Sequence, residues 1–289
     1  MTNAVSHAVN GLAFGSLLFL LASGLTVTFG LMRTVNLAHG ALYAIGGYIF
    51  LDVFRRTGLY SAGIVAAVIA ACVVGVAMHQ LILRRLAHQE LPQIIVTVGL
   101  ALVFADLLLA TYGGRPQTLP RPPGLTDVVR IGELQFPTFR LALIGVAIGV
   151  YLLLGLISAK TRIGAQVRAA VDDEPIARSV GIPVSRLFVG VFALGSALAG
   201  FAGVWGGAFT GVAPGGEWDI LLLSLVVVVV GGLGSLHGAF VAAFVVGLLD
   251  AFGKWLFPEF ALFTLYAPVV VLLAVKPSGL FGRDFTVSR

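Results

Sequence analysis

The five histidines are the side chains best suited to metal binding or proton transfer, and each lies in a different segment of the chain. They are His7, His39, His79, His88 and His237. A metal site needs its ligands clustered at helical or hairpin spacing. The sequence therefore predicts no metal site, and it gives little support to a membrane-embedded enzyme.

ATP hydrolysis is a second chemistry that the sequence argues against. A phosphate loop requires G-x-x-x-x-G-K-[ST], and the nearest string is "GLLDAFGKW", residues 247–255. Five residues separate its glycines, and Trp255 follows the lysine where Ser or Thr is required. We predict that this chain is not an enzyme and binds no cofactor of its own.

Three polar residues follow one another inside an apolar region. Asn36, His39 and Tyr43 fall at i, i+3 and i+7, which places them on one face of a helix. Polar groups at membrane depth usually face a bundle interior or a pathway. Asn36 could equally cap the start of the helix. For His39 we expect an interior hydrogen bond, with substrate contact as the alternative.

Asp106 lies inside the apolar stretch "LVFADLLLATYGG". A buried carboxylate is costly unless it is paired, protonated or near water. We expect a hydrogen bond to a neighbouring helix, with pathway lining as the alternative. An ion-driven secondary transporter would require paired carboxylates within the membrane, and Asp106 is the only residue that supports that class.

The elements that position these residues are long apolar segments. The chain is 58% hydrophobic and 11% charged, whereas soluble proteins carry about 25% charged residues. We predict an all-α polytopic membrane protein, a single domain over residues 1–289 with about eight to ten transmembrane helices. The predicted spans lie near residues 9–31, 36–54, 61–83, 92–112, 139–159, 186–209, 219–235, 237–253 and 258–275. The tight joints near 33–36 and 235–237 suggest that a neighbouring span is re-entrant or broken.

The distribution of Lys and Arg predicts the orientation. With the N-terminus outside and the C-terminus cytoplasmic, eleven of the eighteen basic residues face the cytoplasm, including Arg33, Arg283 and Arg289. This is the bias that membrane proteins show, and it accounts for the net charge of +5 without nucleic acid. The proline-rich segment 113–138 is then an outer docking or capping loop.

The inner loop, about residues 160–185, is the most structured polar segment and predicts two short helices. Arg168 and Asp172 can pair at i, i+4. Glu174 is a possible cap for the second helix, and Gly181 stands where that helix should end. The loop is either a contact surface for a cytoplasmic partner or a solvated connector.

Four stretches occur in an order that extends over nearly the whole chain. They are "GLTVTFGLMRTVNLAHGALYAIGGY" (24–48), "RAAVDDEPIARSVGI" (168–182) followed by "FALGSALAGFAGV" (192–204), "VVVVGGLGSLHGA" (227–239) and "KPSGLFG" (276–282). Together they resemble the permease subunits of ABC importers for branched-chain amino acids. Two departures stand out: Ala41 occupies a position where many relatives have glutamate, and His237 falls where relatives vary.

The resemblance implies a coupling role for part of the inner loop. The positions carried over are Arg168, Ala169, Asp173, Ala177 and Gly181. Three further glycines, Gly231, Gly232 and Gly234, are candidates for a hinge or gate, or only for a close helix contact.

The resemblance also implies an assembly in the bacterial inner membrane. Its partners would be a second permease subunit, two ATP-binding subunits that bind the nucleotide, a periplasmic substrate-binding protein and membrane lipid. A related importer for urea, short amides or other amino acids would share nearly all these features and remains an alternative.

Overall fold

The computed structural model describes residues 2–32, 36–86, 89–131 and 134–282, and it is a bundle of helices. Each predicted span corresponds to a helix, which confirms the all-α membrane fold. In chain order the helices are α1 Thr2–Met32, α2 His39–Thr57, α3 Tyr60–Leu81, α4 Glu90–Tyr112, α5 Thr138–Lys160, α6 Arg162–Asp172, α7 Glu174–Ser179, α8 Val184–Phe209, α9 Glu217–Gly231, α10 Leu236–Leu256 and α11 Ala261–Val275. Arg33, His88, Arg283 and Arg289 lie outside the described residues.

In the described part of the chain, six helices have the length and hydropathy needed to cross a membrane, namely α1, α3, α4, α5, α8 and α10. The other three apolar helices fall short for identifiable reasons. Helix α2 ends in Asp52, Arg55 and Arg56, while α9 and α11 have 15 residues each. The predicted count of eight to ten crossing helices therefore depends on these three.

The core forms where α1, α2, α8 and α10 meet, and small residues bring their backbones together. A Cβ at Gly46 of α2 would overlap the backbone of Gly200 in α8, and a Cβ at Gly203 would overlap the backbone of Tyr43. Such contacts drive helix association in lipid, where apolar side chains gain little from burial. Helices α4 and α5 lie at the periphery instead.

The outer loop contains a short hairpin that the sequence did not predict. Strands β1 Val128–Ile131 and β2 Leu134–Pro137 pair antiparallel. Nearby, the backbones of Gln117 and Val212 exchange two hydrogen bonds of 2.8 Å. Leu119 is buried against the same region. The loop is therefore attached to the α8–α9 connection, at the opposite end of α5 from α6 and α7. We call these two ends of the molecule the hairpin end and the loop end.

Candidate functional site

The start of α2 is organised by Asn36. Its Oδ1 accepts a hydrogen bond from the Ala38 N–H at 3.1 Å, and its carbonyl accepts one from the His39 N–H at 3.2 Å. The helix therefore begins at His39, later than the predicted residue 36. The Leu37 N–H donates to Thr97 Oγ1 of α4 at 3.3 Å, so this turn is tied to a second helix. The N-cap residue is Ala38, which has no side-chain cap hydrogen bond, so Asn36 closes the turn before the helix and the capping prediction is wrong.

His39 and Tyr43 face the interior of the bundle. His39 is fully buried, and a Cβ at Gly24 of α1 would lie 2.8 Å from its Nε2. Tyr43 passes over Gly206 of α8, where a Cβ would overlap the hydroxyl. This polar face is therefore internal, as the spacing predicted, while substrate contact remains a prediction.

Glu217 is an interior carboxylate that the sequence analysis missed. It is 3% exposed although it is the first residue of α9. Its Oε2 accepts from the Gly215 N–H at 2.8 Å, and its backbone carbonyl would lie 3.1 Å from a Cβ at Gly40. The sequence feature that could have indicated Glu217 is "APGGEWD", in which two glycines directly precede acidic residues at the start of an apolar helix. Buried ionisable groups at membrane depth are functional candidates.

Asp106 lies on the outer side of α4, where the residue is exposed. Within the described ranges, no hydrogen bond or ion pair links its carboxylate to another helix. The buried side of α4 is formed instead by Gln93, Thr97, Ala101 and Leu108. The expected hydrogen bond to a neighbouring helix of this chain is therefore wrong.

The candidate hinge glycines form a closely packed joint between α9 and α10. A Cβ at Gly231 would overlap the backbone of Gly238, and Gly232 and Gly234 adopt φ of +100° and +80°. The C-terminal segment, residues 276–282, closes over this joint. Its Leu280 N–H donates to the Val230 carbonyl at 2.8 Å, and its Phe281 N–H donates to the Gly231 carbonyl at 3.1 Å. We call this segment the C-terminal strap.

The inner loop forms the two predicted short helices, but with different caps. The N-cap of α7 is Asp173, whose Oδ1 accepts from the Ile176 N–H at 2.9 Å. Glu174, the predicted cap, instead forms an ion pair with Arg178 at 2.7 Å. The guanidinium of Arg168 donates to the Ser158 carbonyl at the end of α5, rather than forming the predicted pair with Asp172.

A second, smaller core holds this loop on the bundle. Its buried members from the loop are Ala170 and Ala177, which are 5% and 2% exposed and pack with Leu31, Val184 and Leu187. The carried-over contact role of Ala177 conflicts with this burial, because the side chain faces inward. Ala169 is half-buried, whereas Arg168, Asp173 and Gly181 are exposed.

Two large apolar side chains are exposed at α7, one in the helix and one at its end. Ile176 and Val180 are 61% and 70% exposed, and Gly181 follows with φ of +84° and open space where a side chain would be. We call these three residues the α7 surface. Its apolar members were not predicted, although two large apolar residues at i, i+4, one in the charged six-residue helix and one directly after it, were a usable signal.

A cleft of about 990 Å³ separates this loop from the ends of α3 and α4. Leu83, Glu90, Gln93, Asp173 and Arg186 are among the residues that line it. The cleft leaves the loop free on one side, and the loop is attached to α8 and α1 through the smaller core and to the end of α5 through Arg168.

Comparison with known proteins gives a consistent result. The chain is 28% identical to the "High-affinity branched-chain amino acid transport system permease protein LivH" of Escherichia coli K12, covering 95% of this chain and 94% of that protein. It is 26% identical to BraD of Pseudomonas aeruginosa, a permease of the same description, over 96% of both chains. It is also 27% identical to LivM of E. coli K12, over 90% of this chain and 67% of that protein.

The fold also has a counterpart among solved structures. The structure "PsaBC from Streptococcus pneumoniae in complex with Fab" covers 93% of this chain and 91% of its own, with a TM-score of 0.54 and 14% identity. This likeness concerns the fold alone. A family model described as "Branched-chain amino acid transport system / permease component" matches residues 7–274. The chain belongs to this family of branched-chain amino acid transport permeases.

Proposed function

We propose that this chain is one of two permease subunits in an ATP-driven importer for branched-chain amino acids, and that it forms half of the translocation pathway. The family match over residues 7–274 is the observation that supports this most strongly. E. coli K12 has two related proteins, LivH and LivM, each described as a permease of a high-affinity branched-chain amino acid transport system. A second, non-identical permease is therefore the expected membrane partner.

The α7 surface is the proposed docking site for an ATP-binding subunit. It presents Ile176 and Val180 to the aqueous phase, where exposed apolar side chains mark a protein contact. Two such subunits would bind and hydrolyse ATP, and the permease would bind no cofactor of its own. Their closure would press on α7 and move α8 through Ala170 and Ala177 of the smaller core.

The same proposal fixes the orientation in the bacterial inner membrane. The loop end faces the cytoplasm, where the ATP-binding subunits lie, and the N-terminus is outside. A periplasmic substrate-binding protein would dock at the hairpin end and would carry most of the substrate selectivity. The apolar interior then needs only a few polar groups for the zwitterionic ends, and Tyr43 and Glu217 are the buried candidates.

The test is gentle purification of the tagged chain from its native membrane, followed by mass spectrometry of the proteins that accompany it. We expect a second permease and ATP-binding subunits. Uptake of labelled leucine by the reconstituted complex should require ATP and the binding protein, and excess unlabelled leucine, but not urea, should compete. Uptake that persists without ATP and collapses with the ion gradient would overturn the proposal, and competition by urea would move it to a related importer.

A further inference from the structure

Helices α4 and α5 are two peripheral helices of nearly identical character. Each has 23 residues, their mean hydropathies are 2.4 and 2.5, and only 17% of each span is buried. The buried side of α4 is formed by Gln93, Thr97, Ala101 and Leu108, and that of α5 by Phe139, Leu143, Ala147 and Leu154. The buried residues of both helices have the same spacing along the sequence. The opposite, outward face of α4 is therefore equivalent to the outward face of α5.

The two outward faces also correspond residue by residue. On α4 the positions i, i+4, i+7 and i+11 are Ile95, Gly99, Leu102 and Asp106, and on α5 they are Leu141, Gly145, Ile148 and Leu152. All eight residues are exposed. Apolar residues and a glycine therefore match at three positions, and the fourth is a carboxylate on α4 and a leucine on α5.

The Asp106 carboxylate determines whether lipid or protein can cover the outward face of α4. Asp106 lies six residues before the end of α4 at Tyr112, about 9 Å along the helix axis. Lipid tails offer no hydrogen bond or opposite charge at that depth, and ionisable residues in membrane spans nearly always face protein or water. The outward face of α5 contains no such group and is compatible with lipid alone.

We propose that the outward face of α4 is the contact surface for the second permease subunit, with Asp106 meeting a hydrogen-bond donor or a cation of that subunit. This inference rests on the proposed function, which supplies the second permease. A second copy of this chain is the weaker occupant, since placing α4 against α4 would bring two Asp106 carboxylates into one interface.

Helix α5 offers the competing surface. Gly145 and Gly149 are exposed with open space above them, and their spacing is typical of helix pairs that associate in membranes. If close packing of glycines decided the interface, the second permease would lie on α5. The two faces therefore make opposite predictions for matched positions.

The experiment uses the whole importer, with Cys72 replaced by Ala because it is the single cysteine of the chain. Leu102→Cys on α4 and Ile148→Cys on α5 are matched reporters, being 56% and 41% exposed. Each is treated in native membranes with a short cysteine-directed photo-cross-linker, and the products are identified by mass spectrometry. We expect the second permease to be cross-linked at least several-fold more from residue 102 than from residue 148.

Exchange variants give an independent readout. Asp106→Leu should lower the amount of second permease recovered per chain several-fold without lowering the amount of chain in the membrane. Leu152→Asp should lower the amount of chain in the membrane, because it places a carboxylate against lipid. It should leave the amount of second permease recovered per chain unchanged. Asp106→Asn, which can still form a hydrogen bond, should lie between Asp106→Leu and the unmodified chain.

Three outcomes would overturn the inference. They are cross-linking from residue 148 that equals or exceeds that from residue 102, cross-linking from residue 102 to a second copy of this chain, and full recovery of the second permease with Asp106→Leu. Recovery of a second permease from the untreated sample keeps the proposed function in every one of these cases. If no second permease is recovered at all, the proposed function fails together with this inference.

Discussion

Two turns at the loop end of the bundle contain glycines in opposite surroundings. In the α9–α10 joint, a Cβ at Gly231 or Gly232 would overlap or crowd backbone atoms of Gly238 or Gly282. In the turn after α7, Gly181 has a positive φ but nothing within 4 Å of a Cβ position. Gly231 and Gly232 are needed for packing, and Gly232 also for its φ of +100°, whereas Gly181 is needed only for its backbone angle and for an open surface.

This difference separates a rigid part from a contact part. The α9–α10 joint is closed by the C-terminal strap, so it is poorly suited to act as the hinge that its glycines suggested. The turn after α7 lies beside Ile176 and Val180, which are free to meet a partner. Substitutions in the α9–α10 joint should therefore lower the amount of folded protein, whereas substitutions in the turn after α7 should lower transport.

The largest effect is expected for Gly231→Val. The added side chain would overlap the backbone of Gly238, and rigid backbone cannot move aside as a side chain can. The amount of detergent-stable protein should fall on the order of tenfold or more. Gly145→Val, at a position with open space, is the matched control and should be recovered in normal amount. Normal recovery of Gly231→Val would show that the joint is loose.

Gly181→Trp should abolish leucine uptake while the protein remains in the membrane. It adds bulk to the α7 surface and strains a φ of +84°, at a cost of about 1–2 kcal/mol for a residue other than glycine. Gly181→Asn is the control, because asparagine tolerates this conformation and is smaller. If Gly181→Trp transports normally at equal protein level, the α7 surface is not a docking site.

A smaller effect on stability is expected for Leu280→Pro in the C-terminal strap. Proline removes the N–H that donates to the Val230 carbonyl, which leaves that acceptor unpaired at a cost of about 1–3 kcal/mol. Thermal unfolding in detergent should begin several degrees lower than for Leu280→Ala, which keeps the N–H. Equal unfolding temperatures for the two variants would mean that the strap does not hold the joint.

The smallest effect is expected for Asp173→Ala, which removes the cap of α7. Loss of such a cap costs about 1 kcal/mol, which is about fivefold in the equilibrium between folded and frayed α7, so leucine uptake should fall by no more than about fivefold. Asp173→Ser can still cap and should transport nearly as well as the unmodified chain. A loss with Asp173→Ser as large as that with Asp173→Ala would assign Asp173 a direct contact with the partner instead.

The sequence predicted the helices better than it predicted which way they face. The apolar runs located every apolar helix that the structure describes, because crossing a bilayer requires long apolar segments. The orientation of Asp106 could not be predicted, since core and lipid are both apolar and hydrophobic periodicity no longer marks the inner face of α4. Its polar Gln93 and Thr97 lie on the buried side.

The inner loop shows a related limit. Composition and the resemblance located α6 and α7, yet the small Ala177 is buried and the large Ile176 is exposed, the reverse of what size and hydrophobicity predict for an isolated helix. The proposed partner on the α7 surface would cover Ile176 and account for this inversion. Similarly, a run of glycines indicates either close helix packing or a turn. Only the positions of the neighbouring backbones show which role a particular glycine has.

Docking of the α7 surface on an ATP-binding subunit is the central claim, and site-specific cross-linking tests it directly. In the Cys72→Ala background, Ile176→Cys on α7 is compared with Leu59→Cys between α2 and α3, two sites with 61% and 60% exposure. Both are placed in the whole complex with a cysteine-directed photo-cross-linker. We predict abundant product with an ATP-binding subunit from residue 176 and none from residue 59. No product from residue 176, in a complex that still transports leucine, would contradict the account.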